Sequence, residues 1–216
     1  MTIRFLFVGE GSSDRALVPP LETLCLREGA FEARGTAPDF RRPPLRSGHS
    51  VEEKLQAALQ LNPDVDLVFV HRDSDAPSPD RRVQEIEQAR ETVKVVVPLI
   101  PVVPVYMTEA WALLDETAIR RAADNPNGRT VLDLPSPSQV ESITNPKAHL
   151  EAQLLKASEH SGRHRKRFKR SLARRKFALI EQIDIDGPIH QVPAWRCLCE
   201  KVQEAINTLK ATDDNA

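Results

Sequence analysis

The stretch from Leu67 to Asp75 reads LVFVHRDSD, and the rest of the fold follows from it. Its first four residues are apolar and favour β structure, which is typical of a strand buried on both faces of a parallel sheet. The run ends abruptly in two carboxylates, Asp73 and Asp75. Open α/β sheets bind ligands at the carboxyl ends of their strands. Because two carboxylates repel each other unless a cation lies between them, the stretch predicts a site for a hard ion such as Mg²⁺.

Another carboxylate follows the first predicted strand, Ile3 to Val8. The turn after it reads GEGSSD from Gly9 to Asp14. Glu10 stands between two glycines, which let the backbone approach a ligand closely, and this favours a functional carboxylate. Ser12 or Ser13 is expected to cap the next helix. Asp14 suits the first turn of that helix, either as a further ligand or as a complement to the helix dipole.

Alternating strand and helix patterns predict a β1-α1-β2-α2-β3 order, with a capping box at Ser50 opening the second helix. Parallel strands joined by right-handed crossovers place the ends that carry Glu10 and Asp73 on one edge of the sheet. A helix over Pro79 to Thr92 and a fourth strand over Val93 to Ile100 are expected next. Prolines in and after that strand make it short or an edge strand.

A further acidic position comes after the fourth strand. Thr108 is expected to cap a helix whose first turn contains Glu109. Two interpretations of Glu109 stay open, as a metal ligand or as a residue that complements the helix dipole. Tyr106, the only tyrosine, lies beside this position.

Charge is distributed unevenly over the 216 residues. From Lys147 to Lys176 there are 11 Lys/Arg and two Glu, so this segment carries +9 and the remaining chain −10. Such a contrast suits an anionic polymer held by one region and processed at another. We expect two parts, an α/β domain over 1–123 and a basic helical extension over 124–216.

The most basic part of the extension, Arg163 to Lys176, predicts one amphipathic helix with Phe168 and Leu172 on its apolar side. Phosphate contact and a solvated basic face over a packed helix are both open interpretations. The predicted nucleic-acid contacts are Arg72, Lys147, Arg163, Arg165, Lys166, Arg167, Lys169 and Arg170.

Other patterns bear on location and partners. No run of about 18 apolar residues is present and the N-terminus leads straight into a strand, so we expect a cytoplasmic protein without a membrane role. The chain contains no Gly-x-x-x-x-Gly-Lys-Ser/Thr loop, so an ATP-driven step requires a partner protein. Homo-oligomerisation is left open.

The Glu10 turn and the Asp73/Asp75 pair, in this order and each ending a strand, resemble the Glu and Asp-x-Asp motifs of the TOPRIM fold. That fold is shared by topoisomerases, bacterial primases, recombination proteins and the overcoming-lysogenization-defect nucleases. The segment TEAWALLD, residues 108–115, looks like a stand-alone TOPRIM-like family often linked to ATPase partners in bacterial anti-phage defence. The resemblance covers roughly residues 1 to 115 by motif. It implies a TOPRIM-like Rossmannoid three-layer α/β sandwich, with a central, mostly parallel sheet of about four strands and a helical C-terminal extension.

The resemblance also implies a nuclease with two Mg²⁺ ions, or Mn²⁺ in their place, about 3.5 to 4 Å apart. On that basis Glu10, Asp73 and Asp75 are the expected catalytic residues. The expected metal ligands are Glu10, Asp14, Asp73, Asp75 and Glu109. The substrate is DNA or RNA, and an ATPase is a candidate protein partner.

Two other classes remain. One is a non-catalytic nucleic-acid-binding or regulatory subunit of an ATPase-containing complex. The other is a phosphatase or nucleotidyl-transferring enzyme, because an Asp-x-Asp motif also occurs in haloacid-dehalogenase phosphatases and in glycosyltransferases. Haloacid-dehalogenase enzymes carry a nucleophilic Asp after the first strand, where this chain has Glu10. An enzyme that acts on small substrates also has no need of the basic helix.

Overall fold

A computed structural model of the chain describes residues 1–41, 48 and 50–213. The sequence also predicts an exposed loop over Pro38 to Ser47, and residues 42–47 of it, among them Arg42 and Arg46, lie outside the described residues. Four strands form the sheet: β1 Thr2–Val8, β2 Glu32–Thr36, β3 Leu67–His71 and β4 Leu99–Val102. They pair in the order β2-β1-β3-β4, and every pair is parallel. The predicted α/β class is confirmed, and the topology is consistent with a Rossmann-like sandwich.

The helices alternate with the strands and then continue to the C-terminus. The α-helices are α1 Val18–Arg27, α2 Val51–Leu61, α3 Asp80–Val93, α4 Glu109–Ala112, α5 Glu116–Ala122, α6 Pro146–Ala157, α7 Gly162–Lys169, α8 Leu172–Glu181 and α9 Pro193–Asp213. Short 3-10 helices cover Asp14–Leu17, Val140–Ser142 and Pro188–Gln191. In the described part of the chain, none of these helices has both the length and the apolar character needed to span a membrane.

One compact unit contains the sheet and comprises residues 1–72, 79–103 and 196 onward. On one face of the sheet, apolar side chains of β1, β3 and β4 pack with those of α2 and α3. On the other face, the rings of Phe5 and Phe69 pack edge to face, with their centroids 5.0 Å apart. The predicted capping box of α2 is confirmed, because Ser50 accepts the Glu53 N–H and the Glu53 carboxylate accepts the Ser50 N–H.

Residues 73–78 and 104–195 form the second compact unit, which contains α4 to α8. Trp111 and Trp195 pack edge to face in it, with ring centroids 5.0 Å apart. The Asn145 side chain caps α6 by accepting the Ala148 N–H, and Pro146 is the first residue of the helix. The expected division at residue 123 stays a prediction, and α9 from Arg196 onward falls in the unit that contains the sheet.

Two predicted elements are wrong in extent. The fourth strand begins at Leu99 rather than Val93, because α3 continues to Val93 and Lys94 ends it in the left-handed region at φ 58°. Val96, expected in the strand, is 95% exposed. The single basic helix is two helices, because the Ser171 hydroxyl donates to Phe168 O and competes with the helical backbone bonds there.

Candidate functional site

A buried lysine stabilises the turn after β1 through hydrogen bonds to the backbone of the turn. Lys54, on α2, is 7% exposed and its Nζ donates to Gly9 O at 3.2 Å and to Glu10 O at 2.8 Å. Burial lowers the pKa of Lys54, and the charge of Arg72 adds to that effect. An ammonium group buried this far requires such acceptors, so Lys54 fixes the backbone that carries the Glu10 side chain.

Asp14 stabilises the same turn by accepting two of its backbone N–H groups. Its Oδ2 accepts the N–H of Glu10 at 2.8 Å and of Gly11 at 2.9 Å. Ser13 Oγ donates to the other oxygen, Asp14 Oδ1, at 3.0 Å. Ser13 occupies the expected N-cap position of the 3-10 helix, but its side chain makes no capping hydrogen bond and its hydroxyl binds Asp14 instead. Asp14 thus organises the loop that presents Glu10.

Arg72 follows β3 and neutralises Glu10. Because β1 and β3 are adjacent, with Val8 opposite Val70, the residues beyond the two strand ends meet. Arg72 Nε lies 2.6 Å from Glu10 Oε1, and its Nη1 lies 3.4 Å from Glu85 Oε1. The Arg72 Nε–H does not point at a carboxylate oxygen, so the contact with Glu10 is ionic rather than a hydrogen bond. With its side chain 16% exposed, Arg72 bridges two acids.

His71 ends β3 as a structural residue. Its Nδ1 lies 2.8 Å from Val102 O, and its ring stacks on Phe7 with centroids 6.2 Å apart. His71 is 2% exposed, so its ring is a buried part of the sheet edge.

In the second unit, the residues around Asp73 and Asp75 pair with residues 104–108. Asp75 N–H donates to Tyr106 O at 3.0 Å, and Tyr106 N–H donates to Ser74 Oγ at 2.7 Å. Both Asp75 and Tyr106 have positive φ, 51° and 58°. Aspartate tolerates this region, but a bulky tyrosine there is strained, and such strain often occurs at functional sites.

The Asp73 carboxylate is oriented by Thr108. Its Oδ1 accepts both the Thr108 N–H at 2.9 Å and the Thr108 hydroxyl at 3.2 Å. Thr108 occupies the predicted N-cap position of α4, but its side chain makes no capping hydrogen bond because the hydroxyl binds Asp73. Asp73 is half-buried and Asp75 is exposed, so this part of the second unit presents carboxylates near the surface.

Glu109, at the start of α4, is engaged by a lysine from α8. Lys176 Nζ lies 3.4 Å from Glu109 Oε1 and donates to Glu151 Oε1 at 2.6 Å. The side chains of Lys176 and Glu109 are 9% and 14% exposed. One ammonium group thus pairs with two carboxylates within the second unit.

The remaining predicted contacts lie on α6, α7 and the turn after α7. Lys147 is exposed near the start of α6. Arg165 Nη1 donates to Leu155 O at 3.4 Å. The other five side chains are exposed: Arg163, Lys166, Arg167, Lys169 and Arg170. Their role in nucleic-acid binding stays a prediction.

Within residues 1–41, 48 and 50–213, no group of three or more His, Cys, Asp or Glu side chains is arranged to hold a metal ion. Of the predicted ligands, Glu10 and Asp14 belong to the first unit and Asp73, Asp75 and Glu109 to the second. Asp73 and Asp75 fit a hard cation by their donor chemistry, because both supply carboxylate oxygen. Their role as ligands stays a prediction.

Two residues of this region were missed in the sequence. Lys54 continues the apolar spacing of α2, three residues after Val51 and four before Ala58, and a lysine within an apolar helical face was the available indication. Lys176 likewise falls on the buried side of α8, four residues after Leu172. Sequence-level reasoning treats both as solvated charges, whereas the fold uses them to neutralise or position other groups.

Comparison of the chain with protein-family models, with curated proteins and with solved structures finds no significant match.

Proposed function

We propose that the protein is a Mg²⁺-dependent nuclease that cleaves phosphodiester bonds of DNA or RNA. The observation that carries the proposal is the position of acids after two hydrogen-bonded parallel strands. Glu10 follows β1 by two residues, and Asp73 follows β3 by two residues. Carboxylates beyond the carboxyl ends of neighbouring strands are a common arrangement for ligand binding in α/β proteins. A TOPRIM relationship and a role in anti-phage defence are part of the same proposal.

Asp73 and Asp75 are the proposed metal ligands. Bound Mg²⁺ supplies the positive charge that lets a phosphodiester approach acidic side chains, and it activates water for hydrolysis. Thr108 contributes by fixing the Asp73 carboxylate through two hydrogen bonds to one oxygen. A ligand held in one orientation before the ion arrives loses less side-chain freedom on binding.

The test is cleavage of plasmid, linear and single-stranded DNA and of RNA, with Mg²⁺, Mn²⁺ or chelator. We expect metal-dependent cleavage by the natural protein and none in chelator. Asp73→Asn keeps an oxygen that accepts from Thr108 but removes the charge, so cleavage should fall at least about a hundredfold while the fold is retained. Asp64→Asn is the matched control, because Asp64 is an exposed aspartate before β3. Equal activity of the two variants contradicts the proposal, and Glu10→Gln tests the predicted role of Glu10 in the same assay.

The second candidate is a non-catalytic nucleic-acid-binding or regulatory subunit, with an ATPase among its proposed partners. The observation that favours it is that several of the acids are neutralised by the chain's own cations. Arg72 pairs with Glu10, and Lys176 pairs with Glu109 and Glu151. Binding of nucleic acid without cleavage under every metal condition supports this candidate and contradicts the first.

A further inference from the structure

A cleft of about 470 Å³ opens on the basic part of the second unit, beside α7 and α8. Four arginines line it, together with two histidines and one aspartate. The charged lining is Arg167, Arg170, Arg174, Arg175, His160, His164 and Asp124. Four guanidinium groups against one carboxylate leave a formal charge of +3 before the histidines are counted.

Arg175 and Asp124 neutralise each other in the cleft. Arg175 Nη2 donates to Asp124 Oδ2 at 2.5 Å, and its Nη1 donates to Ala122 O. The guanidinium lies 4.2 Å from the centroid of the Phe168 ring. The hydrogen bond from Arg175 lowers the pKa of Asp124, so this aspartate stays ionised and paired. Arg175 therefore has a structural task, and the positive charge available to a ligand comes from other residues.

Those residues are Arg167, Arg170 and Arg174. All three are exposed, and no carboxylate in the described part of the chain forms an ion pair with them. Glu159, the nearest acid in sequence to His160, accepts the N–H groups of Arg129 and Thr130. The backbone hydrogen bond from Thr130 is the main reason why the pKa of Glu159 is lowered to about 2. The Glu159 carboxylate is thus engaged by backbone N–H groups of the loop before α6.

We infer that this cleft binds a phosphate group of a nucleic-acid strand. Guanidinium groups match phosphate oxygens through paired hydrogen bonds, and three of them that form no ion pair within the described residues favour a highly charged anion. A cleft of about 470 Å³ is large enough for a nucleotide-sized group rather than a bare ion. The Phe168 ring is buried against Arg175 and His160, so it is not free to stack on a base. The cleft therefore binds the phosphate and does not recognise the base. The inference deepens the proposed function and rests on it only for the identity of the polymer.

The chain offers a matched pair of variants for the test. Arg167→Gln/Arg170→Gln/Arg174→Gln removes three positive charges from the cleft. Arg121→Gln/Arg129→Gln/Lys156→Gln removes three positive charges from the second unit outside the cleft, and these side chains are also exposed. Exposed substitutions of this kind leave the fold intact, which thermal unfolding of each variant verifies.

Binding is measured in chelator, so that no cleavage takes place, by fluorescence anisotropy of a short single-stranded oligonucleotide at low salt. We expect the cleft variant to bind at least about tenfold more weakly, and the control variant less than about threefold. The slope of log Kd against log salt should also become shallower by at least about 0.7 in the cleft variant. Equal weakening of the two variants overturns the inference, because it assigns binding to diffuse charge.

Further arms identify the source of the phosphate. Tighter binding of a 5′-phosphorylated oligonucleotide than of its 5′-hydroxyl form assigns the cleft to a strand end, and equal binding assigns it to internal phosphates. Displacement by inorganic phosphate alone supports the shared chemistry. Stronger binding of polyglutamate than of either oligonucleotide overturns the inference in favour of an acidic protein. Since no step requires metal or turnover, loss of the nuclease proposal leaves this result interpretable, and the reverse also holds.

Discussion

Gly35→Ala is the sharpest test of the sheet, because the register of β1 and β2 leaves no room for a side chain at this position. Gly35 pairs with Phe5, whose ring is 1% exposed. A Cβ on Gly35 lies 2.4 Å from Phe5 Cζ and 2.6 Å from Val18 Cγ1. An ordinary contact begins near 3.4 Å, so the buried ring must retreat by about 1 Å.

The free-energy cost follows from that displacement. Overpacking of a closed core costs about 1 to 3 kcal/mol, and the smaller conformational entropy of alanine in the unfolded chain returns about 0.4 to 1 kcal/mol. We therefore expect the free energy of unfolding to fall by about 1 to 2 kcal/mol. For a chain of this length, the midpoint of thermal unfolding falls by about 2 to 4 °C per kcal/mol.

Urea unfolding followed by circular dichroism measures the effect. Gly11→Ala is the control, because its nearest neighbour beyond the adjacent residues is Ser13 Oγ at 3.9 Å, and its stability should change by less than about 0.5 kcal/mol. Phe5→Leu should relieve the clash, so the double variant with Gly35→Ala should be more stable than the sum of the single effects by about 1 kcal/mol. Additive effects refute the reasoning, since they mean that the Phe5 ring does not cover Gly35.

Two further predictions concern charges in the second unit. Lys176→Met leaves Glu109 and Glu151 without their shared cation and should lower the free energy of unfolding by about 2 kcal/mol, a reduced figure because Glu151 is 36% exposed. An unchanged urea midpoint contradicts that role for Lys176. The pKa of Glu159 is lowered from 4.5 to about 2, so its stabilising effect is full above pH 4.5 and is lost as pH falls toward 2. We therefore expect the free energy of unfolding to fall less across this pH window in Glu159→Gln than in the natural protein. Parallel plots of the free energy of unfolding against pH for the two proteins contradict the assignment.

The candidate site shows that local sequence patterns identify acidic residues but not the distant cations that contact them. The acids at Glu10 and Asp73 were identified because polar residues interrupt apolar runs, and the sheet places each of them after a strand as expected. Their counter-charges were not identified. Arg72 contacts Glu10 across two strands, and Lys54 reaches the Glu10 turn from a helix that begins some forty residues later. Such pairs are long-range, and sequence periodicity reports only local burial.

The sequence by itself determined the order of strands and helices, the parallel sheet and the capped start of α2, because these depend on local periodicity and on short-range hydrogen bonds. Only the tertiary structure decided that Lys54 and Lys176 are buried, that the Thr108 hydroxyl binds Asp73, and that the basic segment breaks at Ser171 to line a cleft. The physical reason is that a buried polar side chain takes whichever partner folding brings within hydrogen-bond distance, and for Lys54, Thr108 and Lys176 that partner lies 25 or more residues away along the chain.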